Sequence, residues 1–217
     1  MVDKITRFNA KFDTLFFERY AKLTLVDKLG AAYAGLVNAD RPDLQDVDRG
    51  LGIEVTRAIA EDKNVANALI NEMAGKRVTD VASEVVDALE VDRSGYAYGL
   101  QGHMVGAREY DYWRLALPMR RIVTSKVRKV GNGFYGCFRE FGLYIFTHVD
   151  LENLDIHALM LFTVELQRSN RLRYHKLYVS QIQKLYVCDL EELQVQSYAI
   201  SQADSREYYR KAFYNIN

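Results

Sequence analysis

The chain is poor in cysteine and carries no excess of charge, and each shortage removes a class of protein. Two of the 217 residues are cysteine, Cys137 and Cys188. They stand apart, with no CxxC pair and no histidines at zinc spacing, so neither a disulfide framework nor a structural zinc is indicated. Both thiols are expected to be buried. Lys and Arg number 29 and Asp and Glu number 29, so the formal net charge is zero. That balance argues against a protein that holds nucleic acid by bulk electrostatics alone, and it leaves an oligomer open. No run of eighteen apolar residues occurs. The first twenty residues, MVDKITRFNAKFDTLFFERY, lack the basic, apolar and small-residue order of a secretory signal. The expectation is a soluble, cytoplasmic protein with no membrane partner. Absent too are the phosphate loop GxxxxGK[ST], the dinucleotide fingerprint GxGxxG after a strand, and the GxSxG elbow. The four histidines, His103, His148, His157 and His175, show no ligand spacing to one another; only His148, just after the run YIFT, stands where it could edge a site.

What is present is an ordinary globular composition, with 49% hydrophobic and 27% charged residues, in a chain long enough for a substantial core. The charge is unevenly placed. Residues 40–92 hold thirteen acids against six bases, and residues 108–129 hold seven bases against two acids. These segments are either opposite walls of one site or two solvated faces.

Residues 13–38 read as a long helix, with Phe16, Tyr20, Leu23, Tyr33, Leu36 and Val37 near helical spacing, and with Gly30 and Gly35 leaving its end open. Pro42 then stops any helix and biases Arg41 towards an extended backbone. From Asp43 to Ile59 the pattern suits two short strands around a turn at Asp48, Arg49 and Gly50. Residues 61–91 read as two helices broken near Gly75, and 93–112, rich in Gly and Tyr, as a loop. Tyr96, Tyr98, Tyr110 and Tyr112 with Arg108, Arg114, Arg120 and Arg121 would suit base stacking and phosphate contact, although fifteen tyrosines make some clustering unsurprising. The segment 117–133 has Pro118 at a first-turn position and Gly131 at its end, a helix. A buried strand follows at 142–150, then a helix at about 151–168. Two strands flank SQIQ, each carrying KLYV, and the tail 202–217 is a last helix or a frayed end. This order describes an α/β chain with a mixed sheet flanked by helices.

Two places point to chemistry. In RPDLQDVDRGLGIEVTRAI, residues 41–59, a hairpin would bring Asp43 and Glu54 to within about 5 Å, where two carboxylates suit a hard cation such as Mg2+ or Mn2+. The carbonyl of Val55 and the side chain of Glu18 are further candidate oxygens. Glu54 is hard to justify otherwise, because its neighbours look buried; the structural alternative is an edge strand with Glu54 in water or paired with Arg57. On the 119–130 helix, Met119, Ile122, Val123, Val127 and Val130 form one stripe, and Lys126 lies inside it. A lysine on an inward face needs an acidic partner or a route to solvent along its stem. Arg121 and Arg128 lie opposite, and Lys129, near the edge, is the reserve.

The sequence PDLQ, a turn, then GIEVT resembles the signature of the PD-(D/E)XK, or restriction-endonuclease-like, phosphodiesterase superfamily: proline, aspartate, a spacer, then a carboxylate and one residue before a lysine. It is similar in wording to an uncharacterised bacterial group within it. The helix carrying Glu18, and the helix and strand in SKVRKVGNGFYGCFREFGLYIFT, match the family's order, over about residues 14–59 and 117–190. The resemblance implies a restriction-endonuclease-like core at about 14–60 and 113–200, a helical insertion at about 61–112 within one domain, and metal-dependent hydrolysis of nucleic acid. Glu18, Asp43, Glu54 and Val55 would be the metal ligands. The departure is Thr56, which stands where the family has lysine. The superfamily is known for moving that lysine to the following core helix, and Lys126 fits the move. The competing expectation is a binding or assembly module that keeps the core without activity; it has Lys126 lying away from the acids.

Overall fold

The computed structural model describes residues 14–58, 119–120, 122–147 and 151–214. Outside them lie the helices expected at 61–91, the loop at 93–112 and with it the insertion, Pro118, Arg121, His103, His148 and the tyrosines at 96, 98, 110 and 112.

The first helix, α1, spans Thr14–Leu29. Phe16, Phe17, Tyr20, Ala21 and Leu25 are buried along it, the three-and-four spacing that puts one stripe against a core. It ends sooner than its hydrophobic spacing predicts. Gly30 has φ +87, a left-handed turn that favours glycine and closes a helix. Beyond it are a single turn of 3-10 helix, Ala31–Tyr33, and a two-residue strand β1, Val37–Asn38. Arg41 is not extended as its place before proline predicts: its φ is +61 and its bond to Pro42 is cis.

The hairpin lies where the sequence puts it, with β2 at Leu44–Asp46 and β3 at Leu51–Ala58 paired antiparallel. The Asp46 carboxylate accepts the Arg49 N–H at 3.2 Å, and Gly50 takes φ +63, so a side-chain acceptor and a glycine close the turn together. Helix α2 covers 119–120 and 122–131. It leads to β4, Glu140–Thr147, and α3, Asn153–Leu166, follows. A second hairpin, β5 at Lys176–Gln181 and β6 at Lys184–Asp189, matches the paired KLYV segments. The strand β7, Gln194–Ala199, and the helix α4, Gln202–Tyr214, complete the described residues.

The chain is an α/β protein built on a seven-stranded mixed sheet in the order β1-β2-β3-β4-β5-β6-β7. β3, β4 and β5 are parallel, and the other pairs are antiparallel. Alternation along the parallel strands sorts the side chains into two layers. On one face, Leu143, Ile145, Leu177, Val179 and Ala58 pack with Met119, Val123, Val127 and Val130 of α2 and with Ile156, Leu159 and Met160 of α3. On the other, Ile53, Tyr144 and Tyr178 pack with α1 and with Tyr208 and Ala212 of α4. The buried phenols of that second layer are satisfied. Tyr144 Oη pairs with Thr24 Oγ1 at 2.8 Å and Tyr178 Oη with Tyr33 Oη at 2.9 Å, so they carry no unmet polar cost. Tyr208 Oη donates to Asp27 Oδ2 at 2.5 Å and fastens α4 to α1.

Cys188 is buried as expected, but Cys137 is exposed, because it sits in the irregular run before β4 rather than on a strand. No helix among the described residues is long and apolar enough to cross a membrane.

Candidate metal centre

The register Leu44↔Ile53 places Asp43 opposite Glu54, one step further along the hairpin. The closing contact is local: Asp43 Oδ2 accepts the Val55 N–H at 2.7 Å. Val55 therefore enters the site through its N–H. Glu54 is 7% exposed and points to the α2 face. There Lys126 Nζ donates to Glu54 Oε1 at 2.5 Å, with side-chain exposures of 17% and 9%.

The apolar stripe of α2 explains this meeting. Met119, Val123, Val127 and Val130 are each at most 2% exposed, so the helix is seated by them and Lys126 is carried inward between Val123 and Val127. Arg128 and Lys129 are exposed, and the Lys129 ammonium lies 5.2 Å from the Phe134 ring centre. The reserve lysine thus stays outside. Arg57 is not the partner of Glu54: its guanidinium lies 4.7 Å over the Phe17 ring, on the other face of the sheet, as two-residue alternation requires.

Burial pushes the Asp43 carboxyl up to about 6, with the nearby charge of Glu54 as the next cause; the Val55 N–H and Lys126 oppose the rise. Two acids are thus held together in a partly dehydrated place with one lysine for both. Glu18 also raises Asp43, more weakly. Its own carboxylate accepts the Asn38 Nδ2–H at 2.6 Å, which ties it to β1. Among the described residues no group of three or more His, Cys, Asp and Glu side chains is gathered closely enough to hold a metal ion. The structure therefore brings Asp43, Glu54 and Lys126 together and leaves Glu18 at the margin.

Two residues that the sequence does not single out border the pair. Tyr135 Oη and Tyr174 Oη are buried and make no hydrogen bond of ordinary geometry among the described residues. Each is nonetheless close enough to Glu54 to feel its charge, which adds to burial in raising both phenols. Gln167 holds Tyr174 in place, donating from Nε2 to its carbonyl at 2.8 Å and accepting its N–H on Oε1 at 2.9 Å. No sequence signal marks them, since both come from irregular segments beside strands. His175 belongs to the frame: its ring Nδ1 accepts the Phe141 backbone N–H at 2.9 Å and its own backbone N–H donates to the Phe141 carbonyl at 2.7 Å. His157 is exposed on α3.

The donor set suits a small hard cation. Asp43 Oδ2 is on a backbone N–H and Glu54 Oε1 on Lys126, so among the described residues one oxygen of each carboxylate remains; Mg2+ characteristically takes one or two carboxylates and fills the rest of its shell with water and phosphate. An all-protein cage is not offered. No family model, curated protein or solved structure matches the chain.

Proposed function

We propose that the chain is a metal-dependent phosphodiesterase acting on nucleic acid, built on a restriction-endonuclease-like core in which the motif lysine has moved from strand to helix. The observation that carries this reading is the contact of Lys126 with Glu54. A lysine delivered by α2 stands beside the carboxylate pair, where Thr56 two residues further along β3 offers no cation.

Asp43 and Glu54 would hold Mg2+ or Mn2+, with Glu18 assisting at a distance and the Val55 carbonyl as a further oxygen. When bound, such an ion polarises a phosphate oxygen and lowers the pKa of a coordinated water. Lys126 spends one of its three ammonium donors on Glu54. The others are available to orient a water or to offset charge gathering on phosphate, a role that a buried, pre-positioned cation performs better than a mobile one. The high proton affinity of Asp43 comes first from burial and then from the charge of Glu54; a divalent cation would offset the second of these.

A binding or assembly module without activity is the second reading, and Thr56 favours it. It expects Lys126 away from the acids, which the observed contact opposes. The deciding experiment is hydrolysis of single- and double-stranded DNA and RNA with Mn2+ or Mg2+, comparing the wild type with Glu54→Gln and Lys126→Ala. Cleavage lost in both variants establishes the phosphodiesterase. Binding without cleavage in the wild type assigns the chain to the second reading.

A further inference from the structure

On the α2 face of the sheet, the face to which Glu54 points, a cleft of about 270 Å³ lies between the end of α2, the run before β4 and the run before β5. Its wall is aromatic, formed by Tyr135, Phe138 and Phe141, and its polar groups are Arg171, Arg173 and His175. Among the described residues no acidic side chain lines it. Phe138 stacks on Phe141, with ring centres 5.5 Å apart and planes 25° from parallel. Its ring also lies across Gly52, where any Cβ would stand 2.8 Å from the ring carbons. Glycine at 52 is what admits the ring, and Phe138 remains half-buried, with the rest of its surface on the cleft.

The polar side of the cleft has surplus positive charge. Arg171 is exposed and has no acidic partner among the described residues, while Arg173 faces Glu191 at 3.5 Å across a half-exposed gap that contributes little. Because Nδ1 of His175 accepts the Phe141 N–H, the neutral ring carries its proton on Nε2, a third donor. Planar aromatic surface next to guanidinium donors is the combination that takes a base and a phosphate together.

We propose that this cleft binds one nucleotide, its base against Phe138 and its phosphate on Arg171 and Arg173, adjacent to the phosphate that water would attack at the carboxylate pair. The placement follows from the strand. Gly52 and Glu54 are two residues apart on one face of β3, about 7 Å, a step that one nucleotide of an extended strand spans. Tyr135 joins the two places, since its ring lines the cleft while its phenol feels the charge of Glu54. The volume admits a single nucleotide and no duplex, so the cleft selects a strand whose base is unstacked. The position beside the cut rests on the phosphodiesterase reading; nucleotide binding itself does not.

The test is calorimetric titration of the full chain in EDTA with adenosine 5′-monophosphate and, separately, inorganic phosphate, for the wild type, Arg171→Glu and Phe138→Leu. The expected result is nucleotide binding at least about tenfold tighter than phosphate, from the contribution of base stacking. Arg171→Glu and Phe138→Leu each weaken it by about tenfold or more. Arg171 is exposed, so its variant keeps the fold, and a thermal melt checks Phe138→Leu. Equal affinity for nucleotide and phosphate, no binding, or indifference to Arg171→Glu overturns the proposal. Nucleotide binding that a 5′-phosphorylated single-stranded decanucleotide fails to displace overturns the placement beside the cut. Because no metal is present, failure here leaves the metal-dependent reading standing, and failure of hydrolysis leaves the nucleotide cleft standing.

Discussion

Lys126 on α2 and Glu54 on β3, separated by 72 positions in the chain, meet at 2.5 Å as an ion pair in which Glu54 is buried and Lys126 largely so. Each is the main compensation for the other's burial. The pair is therefore a place where removing one charge costs more than removing both, because the survivor is left dehydrated without a countercharge.

Lys126→Met is expected to destabilise the protein by about 3 to 5 kcal/mol at neutral pH. The double variant Lys126→Met with Glu54→Gln should recover much of that loss. Urea unfolding of the wild type, both single variants and the double variant measures the coupling; additive losses would show that the two side chains do not interact.

Asp43 sets a pH dependence of definite sign. Its carboxyl, normally near 3.8, is pushed up to about 6 by burial and then by Glu54, so the folded state binds the proton more tightly than the unfolded chain. Its contribution to stability is complete below about pH 4 and is lost as pH rises through about 6, a change on the order of 2 kcal/mol. The stability difference between the wild type and Asp43→Asn should accordingly fall between pH 4 and 7. Buffers spanning that range in a chemical-denaturation series report it, and a rise would mean that Lys126 outweighs burial.

Metal should stabilise the same residues. Thermal unfolding in about 10 mM Mn2+ is expected to shift upwards by a few degrees for a site with a dissociation constant near 1 mM, a linkage of about 1.4 kcal/mol. Asp43→Ala should abolish the shift. A shift of equal size in that variant would place the ion elsewhere.

If the lysine has moved, it can be moved back. Thr56 is half-buried on the same face of β3 as Glu54, so Thr56→Lys introduced into Lys126→Ala should restore part of the lost cleavage, while Thr56→Arg should not, since the planar guanidinium does not replace a compact ammonium. Initial rates on a labelled oligonucleotide separate these outcomes.

Gly52→Ala tests how the cleft is built. The added Cβ would press into the Phe138 ring at 2.8 Å, so the ring must leave Phe141 or the strand must shift, at an expected cost of about 1 to 3 kcal/mol. A melting temperature equal to that of the wild type would show that the ring relocates freely.

Local chemistry left clear marks on the fold. The hairpin from Leu44 to Ala58 was legible because alternating residues flank an Asp-Arg-Gly turn. The stripe on α2 was legible because four aliphatic residues recur at helical spacing and leave Lys126 among them. β7 left no such mark: Gln194–Ala199 is polar and largely exposed, and it is a strand because β6 offers it a hydrogen-bonding edge. The end of α1 was open in the sequence because an apolar run continues past Gly30 and a second glycine follows at Gly35; the left-handed turn at Gly30 closes it.

The sequence alone determined which groups stand as candidates for chemistry. Asp43 and Glu54 sit across one turn, so a hairpin of that length must bring them together, and Lys126 must face inward because its neighbours do. Tertiary structure decided the rest. That Lys126 reaches Glu54 depends on α2 packing on one face of the sheet and not the other. That Glu18 stays aside depends on Asn38 of β1 holding its carboxylate. That Tyr135, Phe138 and Arg171 share a cleft depends on the segments before β4 and β5 meeting above a glycine. Side-chain pattern reports the face on which a residue lies. The partner it finds there is set by which elements pack across that face, and a one-dimensional pattern does not contain that information.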